Sequence, residues 1–122
     1  MYVKIDKQRE GVERIVPRHQ FEARFKIEIE RLEGTLVTEG WARDLSESGV
    51  GAFVATELHV GELATLRILL PDGVELVIPA KVTRSLGTQY GFQFTALSLT
   101  QRREILRVLA NSKTIPYVST IL

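Results

Sequence analysis

From Phe21 to Glu30 the chain alternates without a break. Phe21, Ala23, Phe25, Ile27 and Ile29 are apolar or small, and the residues between them, Glu22, Arg24, Lys26, Glu28 and Glu30, are all charged. A period of two places every apolar side chain on one face of an extended strand. On a helix the same ten residues would scatter their charges around the whole circumference. The segment therefore demands β-structure, and its apolar face demands other strands to cover it.

Further strands follow at short spacing. Leu36 to Leu45 is a second, containing Trp41, and Val50 to Thr56 a third, with Asp44 to Gly49 as the turn between them. Leu63 to Leu70 is a fourth, carrying Leu66, Ile68 and Leu70 on one face. Pro71-Asp72-Gly73 is a turn signal. Val74, Leu76, Ile78, Ala80 and Val82 mark a fifth strand, in which Pro79 lacks an N–H and suggests an edge or a bulge. Tyr90, Phe92 and Phe94 mark a sixth, entered past Gly87. The period then changes. Ser98-Leu99-Thr100-Gln101 fits a capping box, and Ile105, Leu106 and Leu109 fall on one side of a helix that ends near Asn111. Six short strands and one helix suggest a mainly β chain, an antiparallel barrel with a C-terminal helix across one opening. Closure also removes the strand edges that invite aggregation.

At 122 residues, 44% of them hydrophobic, the chain suits one domain with one core. Three segments are expected: residues 1–20 as a flexible, charged N-terminal arm, residues 21–112 as the barrel and helix, and residues 113–122 as an apolar tail. The arm has a local excess of two positive charges, from Lys4, Lys7, Arg9, Arg14 and Arg18 against Asp6, Glu10 and Glu13. The whole chain carries a formal net charge of only +1, so no global field draws it to nucleic acid or to an anionic membrane. The absence of cysteine excludes disulfides and thiolate sites. No apolar run approaches the ~18 residues that a membrane span needs, and the N-terminus lacks the apolar core of a signal peptide. A cytoplasmic protein is expected, without membrane insertion.

Two polar clusters carry chemistry. Arg14-Ile15-Val16-Pro17-Arg18 is an R-x-x-x-R, and Asp44-Leu45-Ser46-Glu47-Ser48-Gly49 is a D-x-S-x-x-G. A guanidinium can hold phosphate oxygens through two parallel hydrogen bonds or guanine O6 and N7 as a bidentate donor. A carboxylate at Asp44 can accept from guanine N1–H and its exocyclic amine, and the Ser46 hydroxyl can add a contact. Gly49 can accept the positive φ of a turn. Each cluster also has a plain structural meaning. With 11 arginines the chain has a second R-x-x-x-R, Arg103 and Arg107 on the helix, where a solvated face explains it. Asp, Ser and Gly in that order make an ordinary tight turn between strands.

Taken together and in this order, the two clusters, the strands and the helix resemble the PilZ family over about residues 9–112. The resemblance implies a six-stranded PilZ-type barrel and a receptor for cyclic di-GMP, without catalytic activity or any other cofactor. Carried over by motif, Arg14 and Arg18 would hold phosphates and guanines, Asp44 and Ser46 would contact guanine, and Gly49 would shape the turn. The arm would change conformation on binding and regulate a downstream protein not identified by the sequence. Many family members have a further arginine directly before the first motif arginine; here Glu13 stands there, which favours one ligand per chain, with Arg9 as a possible replacement charge. Arg43 is a lesser candidate, better explained as a strand cation paired with a glutamate. Trp41 reads as packing, and His19 and His59 as solvated histidines without a metal-site spacing. The alternative function is a PilZ-like protein-interaction module independent of nucleotide, docking through the helix or the 115–122 tail. Single-stranded nucleic acid is disfavoured because most aromatics alternate inward.

Overall fold

A computed structural model describes residues 17–112, and within them the alternation becomes a closed barrel. The strands are β1 (His19–Arg31), β2 (Gly34–Leu45), β3 (Gly49–Val54), β4 (Leu63–Leu69), β5 (Glu75–Leu86) and β6 (Gln89–Phe94), followed by α1 (Leu99–Ala110). Neighbours run in the order β1-β2-β3-β6-β5-β4, and β4 closes back on β1. Every pairing is antiparallel. The six-strand barrel and terminal helix expected from the sequence are present.

Inward positions match the apolar phase. Phe21, Phe25, Ile27 and Ile29 of β1 are buried with Val50, Ala52 and Val54 of β3, Leu66 and Ile68 of β4, Leu76, Ile78, Ala80 and Val82 of β5, and Tyr90, Phe92 and Phe94 of β6. Phe25 and Phe92 meet edge to face, with centroids 6.1 Å apart. Ala23 is only partly buried, and Val74 lies outside β5 and is exposed. The buried Tyr90 hydroxyl accepts a hydrogen bond from the Leu58 N–H at 3.1 Å, which satisfies a loop donor inside the core.

The helix starts as its sequence suggests. Ser98 Oγ accepts from the Gln101 N–H, and the Gln101 side chain accepts from the Ser98 N–H, both at 3.0 Å. Ile105, Val108 and Leu109 enter the core. Leu106 does not: it is turned outward, and Val108 takes the inward place expected of it. Two ion pairs fasten the helix to opposite turns, Arg102 to Glu47 at 3.3 Å and Arg107 to Asp72 at 2.5 Å. Arg107 is thus engaged in an ion pair, not merely solvated.

The strand register slips at three places. On β1 the slip falls between Gln20 and Ala23, on β2 between Ala42 and Asp44, and on β5 between Val82 and Arg84. On β2, Ala42 pairs with Ala52 and Asp44 with Gly51, so Arg43 is an extra residue. On β5, Val82 pairs with Phe92 and Arg84 with Gly91, so Thr83 is extra. Strict alternation would send Asp44 inward after Ala42 and Arg84 inward after Val82. Each bulge shifts the phase by one and keeps the charge outside. The bulge in β5 is therefore near Arg84 and not at Pro79. Pro79 is also not on an edge strand: it pairs with Thr65 of β4, and its carbonyl accepts from Thr95 N–H just beyond the end of β6.

Gly49 is required for a reason other than the expected positive φ. The left-handed glycines are Gly34, Gly61, Gly73 and Gly87. At Gly49 the β6 backbone comes so close that a Cβ would lie 2.1 Å from the Phe92 carbonyl oxygen. Gly49→Ala should therefore force β3 away from β6 and lower unfolding stability by about 3 kcal/mol, seen as an earlier midpoint in urea. An unchanged midpoint would show that the ladder can move at no cost.

A second prediction concerns acid stability. Arg31 Nε and Nη2 donate to the two oxygens of Glu62, each at 2.8 Å, and the His59 N–H donates to the same carboxylate at 2.9 Å. These donors, Arg31 first, hold the Glu62 carboxyl below the ordinary glutamate value. A depressed folded-state value means that the stabilisation is complete above the unfolded value of ~4.3 and is lost as pH falls through the folded one. Denaturant midpoints of the native chain and Glu62→Gln should therefore converge as pH is lowered below that value. A constant gap at all pH would rule out the linkage.

Candidate ligand site on the outer face of the barrel

Arg18 and Asp44, one from each polar cluster, lie 26 residues apart in sequence, and the fold joins them. Arg18 immediately precedes β1, whose Gln20 pairs with Asp44 near the end of β2. Arg18 Nη1 donates to Asp44 Oδ1 at 2.5 Å. Both groups are partly exposed, so the bond ties the chain entry to the β2 end at the surface, not in the core. Asp44 Oδ2 accepts no hydrogen bond from any described residue, so the carboxylate keeps acceptor capacity after Arg18 has oriented it.

Asp44 lies over its neighbour strand. A Cβ at Gly51 would sit 2.8 Å from Asp44 Oδ2 and 2.9 Å from Oδ1, so only a glycine admits the carboxylate there. Gly51 pairs in turn with Gly91 of β6, and Gly91 with Arg84 of β5. The row Asp44–Gly51–Gly91–Arg84 thus crosses four strands on the outer face, with two glycines at its centre. Both glycines are buried, Gly51 under the Asp44 carboxylate and Gly91 under the Arg84 side chain, so the absence of a side chain at each lets its charged neighbour lie close against the backbone. Nothing in the turn motif announces this glycine floor. The signal in the sequence is a glycine in the interior of two alternating strands, Val50-Gly51-Ala52 and Tyr90-Gly91-Phe92.

The next row up is aromatic. Arg24 pairs with Trp41, Trp41 with Phe53, and Phe53 with Gln89. The Arg24 guanidinium lies 5.4 Å from the Trp41 ring centre, and that of Arg43 4.9 Å from the Phe53 ring centre. Trp41, expected as packing, is instead on the outer face and 40% exposed. Arg43, expected to pair with a glutamate, covers an aromatic ring as the extra residue of the β2 bulge.

Ser46 is placed differently from its expected contact with guanine. It is 2% exposed. Its Oγ accepts from the backbone N–H of Ser48 and of Gly49, both at 3.2 Å, while Ser46 N–H donates to the Gly49 carbonyl at 2.9 Å. The hydroxyl therefore holds the turn shut. His19 is a β1 residue paired with Leu45, not a loop histidine, and its buried Nδ1 finds no partner among the described residues. Arg9, Glu13 and Arg14, with the rest of the expected arm ahead of Pro17, lie outside the described residues, as does the 113–122 tail.

One concavity of about 210 Å³ lies on the β1–β4–β5 side, lined by residues including Arg24, Lys26 and Arg67. Another of about 330 Å³ lies where the start of β1 meets the end of α1. Neither touches Asp44. No helix among the described residues is long and apolar enough to cross a membrane.

Known proteins share this architecture. A curated relative, the UDP-forming cellulose synthase catalytic subunit of Pseudomonas fluorescens (strain SBW25), is 35% identical over 74 residues. That match takes in 59% of this chain but only 10% of the relative, so the chain spans about a tenth of the length of the curated protein it matches. Among solved structures, the PilZ domain of CeSA from a cellulose-synthesizing bacterium superposes with a TM-score of 0.61 at 23% identity, covering 77% of this chain and 95% of that one. The PilZ domain of YcgR from Escherichia coli, solved with c-di-GMP, gives 0.63 at 17% identity over 82% and 91%. The Bacillus subtilis inhibitor of motility (MotI/DgrA) gives 0.66 at 16% identity over 82% and 50%. At these identities the likenesses show a common fold. The family model of the PilZ domain matches residues 13–111, from the first arginine cluster to the end of the helix, and the chain belongs to the PilZ domain family.

Proposed function

We propose that this PilZ domain is a non-catalytic receptor for cyclic di-GMP that regulates a partner protein. The observation that carries the reading is the Arg18–Asp44 bond. It brings one residue of each cluster together on the outer face beside the paired glycines Gly51 and Gly91, which supports a single site built from both. Relatives of the same fold support it: the YcgR PilZ domain and MrkH of K. pneumonia have both been solved with c-di-GMP.

The chemistry follows from the donor and acceptor inventory. Asp44 Oδ2 accepts from guanine N1–H and the exocyclic amine, while Oδ1 stays bonded to Arg18. Arg18 thereby serves as both anchor and ligand contact. Arg14 is four residues away, so its Cα lies within about 14 Å of that of Arg18 even if the chain is fully extended. That distance lets Arg14 meet a dinucleotide seated on Asp44. Ser46 and Gly49 act indirectly, one by closing the turn and the other by letting β3 approach β6. Glu13 beside Arg14 disfavours a second anionic ligand. Closing the segment that carries Arg14 over the ligand changes the surface offered to a partner, and only a ligand that prefers the closed arrangement can drive that change.

Calorimetric titration tests the reading directly. Cyclic di-GMP should bind with one ligand per chain, and GTP and cyclic di-AMP should bind far more weakly. The double variant Arg14→Ala, Arg18→Ala should lose tight binding. Asp44→Ala should narrow the gap between cyclic di-GMP and cyclic di-AMP, because the carboxylate reads donors that only guanine offers. Near-native affinity in the double variant would reject the site, and two ligands per chain would reject the role given to Glu13.

A further inference from the structure

We propose that Arg84 is a third arginine of this site, holding a ligand phosphate from the barrel side of the glycine floor. The inference rests on the cyclic di-GMP reading above and goes beyond the two motifs that suggested it.

Four observations converge on Arg84. It ends the cross-strand row that begins at Asp44, with Gly51 and Gly91 between them. Its side chain lies back over that floor: a Cβ at Gly91 would sit 3.3 Å from Arg84 Cβ, 3.5 Å from Nε and 3.6 Å from Nη2. It forms no ion pair and no side-chain hydrogen bond with any described residue, unlike Arg18, Arg31, Arg67, Arg102 and Arg107. Finally, a bulge at Thr83 is what turns it outward. In unbroken alternation after Leu76, Ile78, Ala80 and Val82, position 84 would face the core. The bulge at Arg43 does the same for Asp44 on the opposite side of the floor. Two register slips thus bring an acid and a base onto the outer face at the two ends of one glycine pair.

Charge decides what Arg84 binds there. Arg18 is already neutralised by Asp44, so that pair presents no net charge to a ligand with two phosphates. Asp44 takes the donor edge of a base and would repel a phosphate. Arg84 is the uncompensated cation of the row, and its planar fork suits two phosphate oxygens. A ligand bridging the floor would then have its base at Asp44 and its phosphodiester at Arg84. The bulge would serve any charged residue at position 84, but a plain solvated arginine would not need the close seat on Gly91 that this side chain occupies.

The test is a titration series on the full chain with cyclic di-GMP as probe. At low salt, Arg84→Ala should weaken binding by about tenfold or more, the usual loss for a charge-assisted hydrogen bond. Arg84→Lys should recover part of the loss, because it keeps the charge without the fork. Arg103→Ala, on the exposed helix face, should bind as the native chain does. The native-to-Ala ratio should shrink as salt rises, since a lost phosphate contact is screened whereas a packing defect is not. Thermal midpoints of the free proteins should agree. If the native chain binds and Arg84→Ala binds equally well, Arg84 is not in the site. A salt-independent loss with a lowered midpoint would assign it to folding instead and would also overturn the proposal. A native chain that binds no cyclic di-GMP would remove the receptor reading itself.

Discussion

A closed six-stranded barrel has an interior filled by side chains and no place within it for a charge. That constraint governs the rest of the molecule. Each strand must keep its apolar phase facing inward, and wherever a charged residue falls on the inward phase the strand must slip. Asp44 and Arg84 are two such residues. Both are preceded by an inward small or branched residue two positions earlier, Ala42 and Val82, and both are turned out by one extra residue. The site is therefore not an addition laid on the barrel. It is where the barrel's alternation is broken, and the breaks stand on either side of two glycines on which the Asp44 and Arg84 side chains lie.

The end of the barrel beside this site is tied together by several contacts. Ser46 closes the β2–β3 turn from inside, Gly49 lets β3 lie against the Phe92 carbonyl, and the Phe94 N–H donates to the Ser48 carbonyl at 2.8 Å. Glu47, at the tip of the same turn, is held by Arg102 of the helix. A shift of Asp44 would thus be felt through the turn by the helix. This gives the C-terminal element a physical connection to the outer face that carries Asp44, although its apolar residues serve the core.

Much of this was legible in the residues. Unbroken alternation over 21–30 and the apolar phases of the later strands indicated a barrel. The Ser98–Gln101 capping box placed the helix start, because caps depend on local geometry alone. What could not be read depended on contacts between segments distant in sequence. Whether Trp41 faces the core or solvent turns on the phase of β2, and a large aromatic gives no sign of it. Whether Gly49 is needed for φ or for space depends on how near β6 comes. Ser46 looked like a ligand group because its hydroxyl is polar; only the closed turn shows that two backbone N–H groups already claim it. The order of the motifs suggested one site shared by the two clusters, but the direct bond between Arg18 and Asp44 could not be read from it.

Arg84 shows where such reading can be extended. In the sequence it ends a run, Leu76, Ile78, Ala80, Val82, in which the next inward position is charged. A charge on the apolar phase near a strand end has two outcomes: the strand stops, or it slips. β5 continues to Leu86, so it slips. The same logic applies at Asp44, where the phase of Gly40 and Ala42 runs into an acid and β2 continues to Leu45. When two slips occur on strands separated by exposed-face glycines in register, the charges they release must share one surface. Alternation that fails at a charge, paired with glycine in neighbouring strands, is thus a signal for a ligand face that motif spacing alone does not carry.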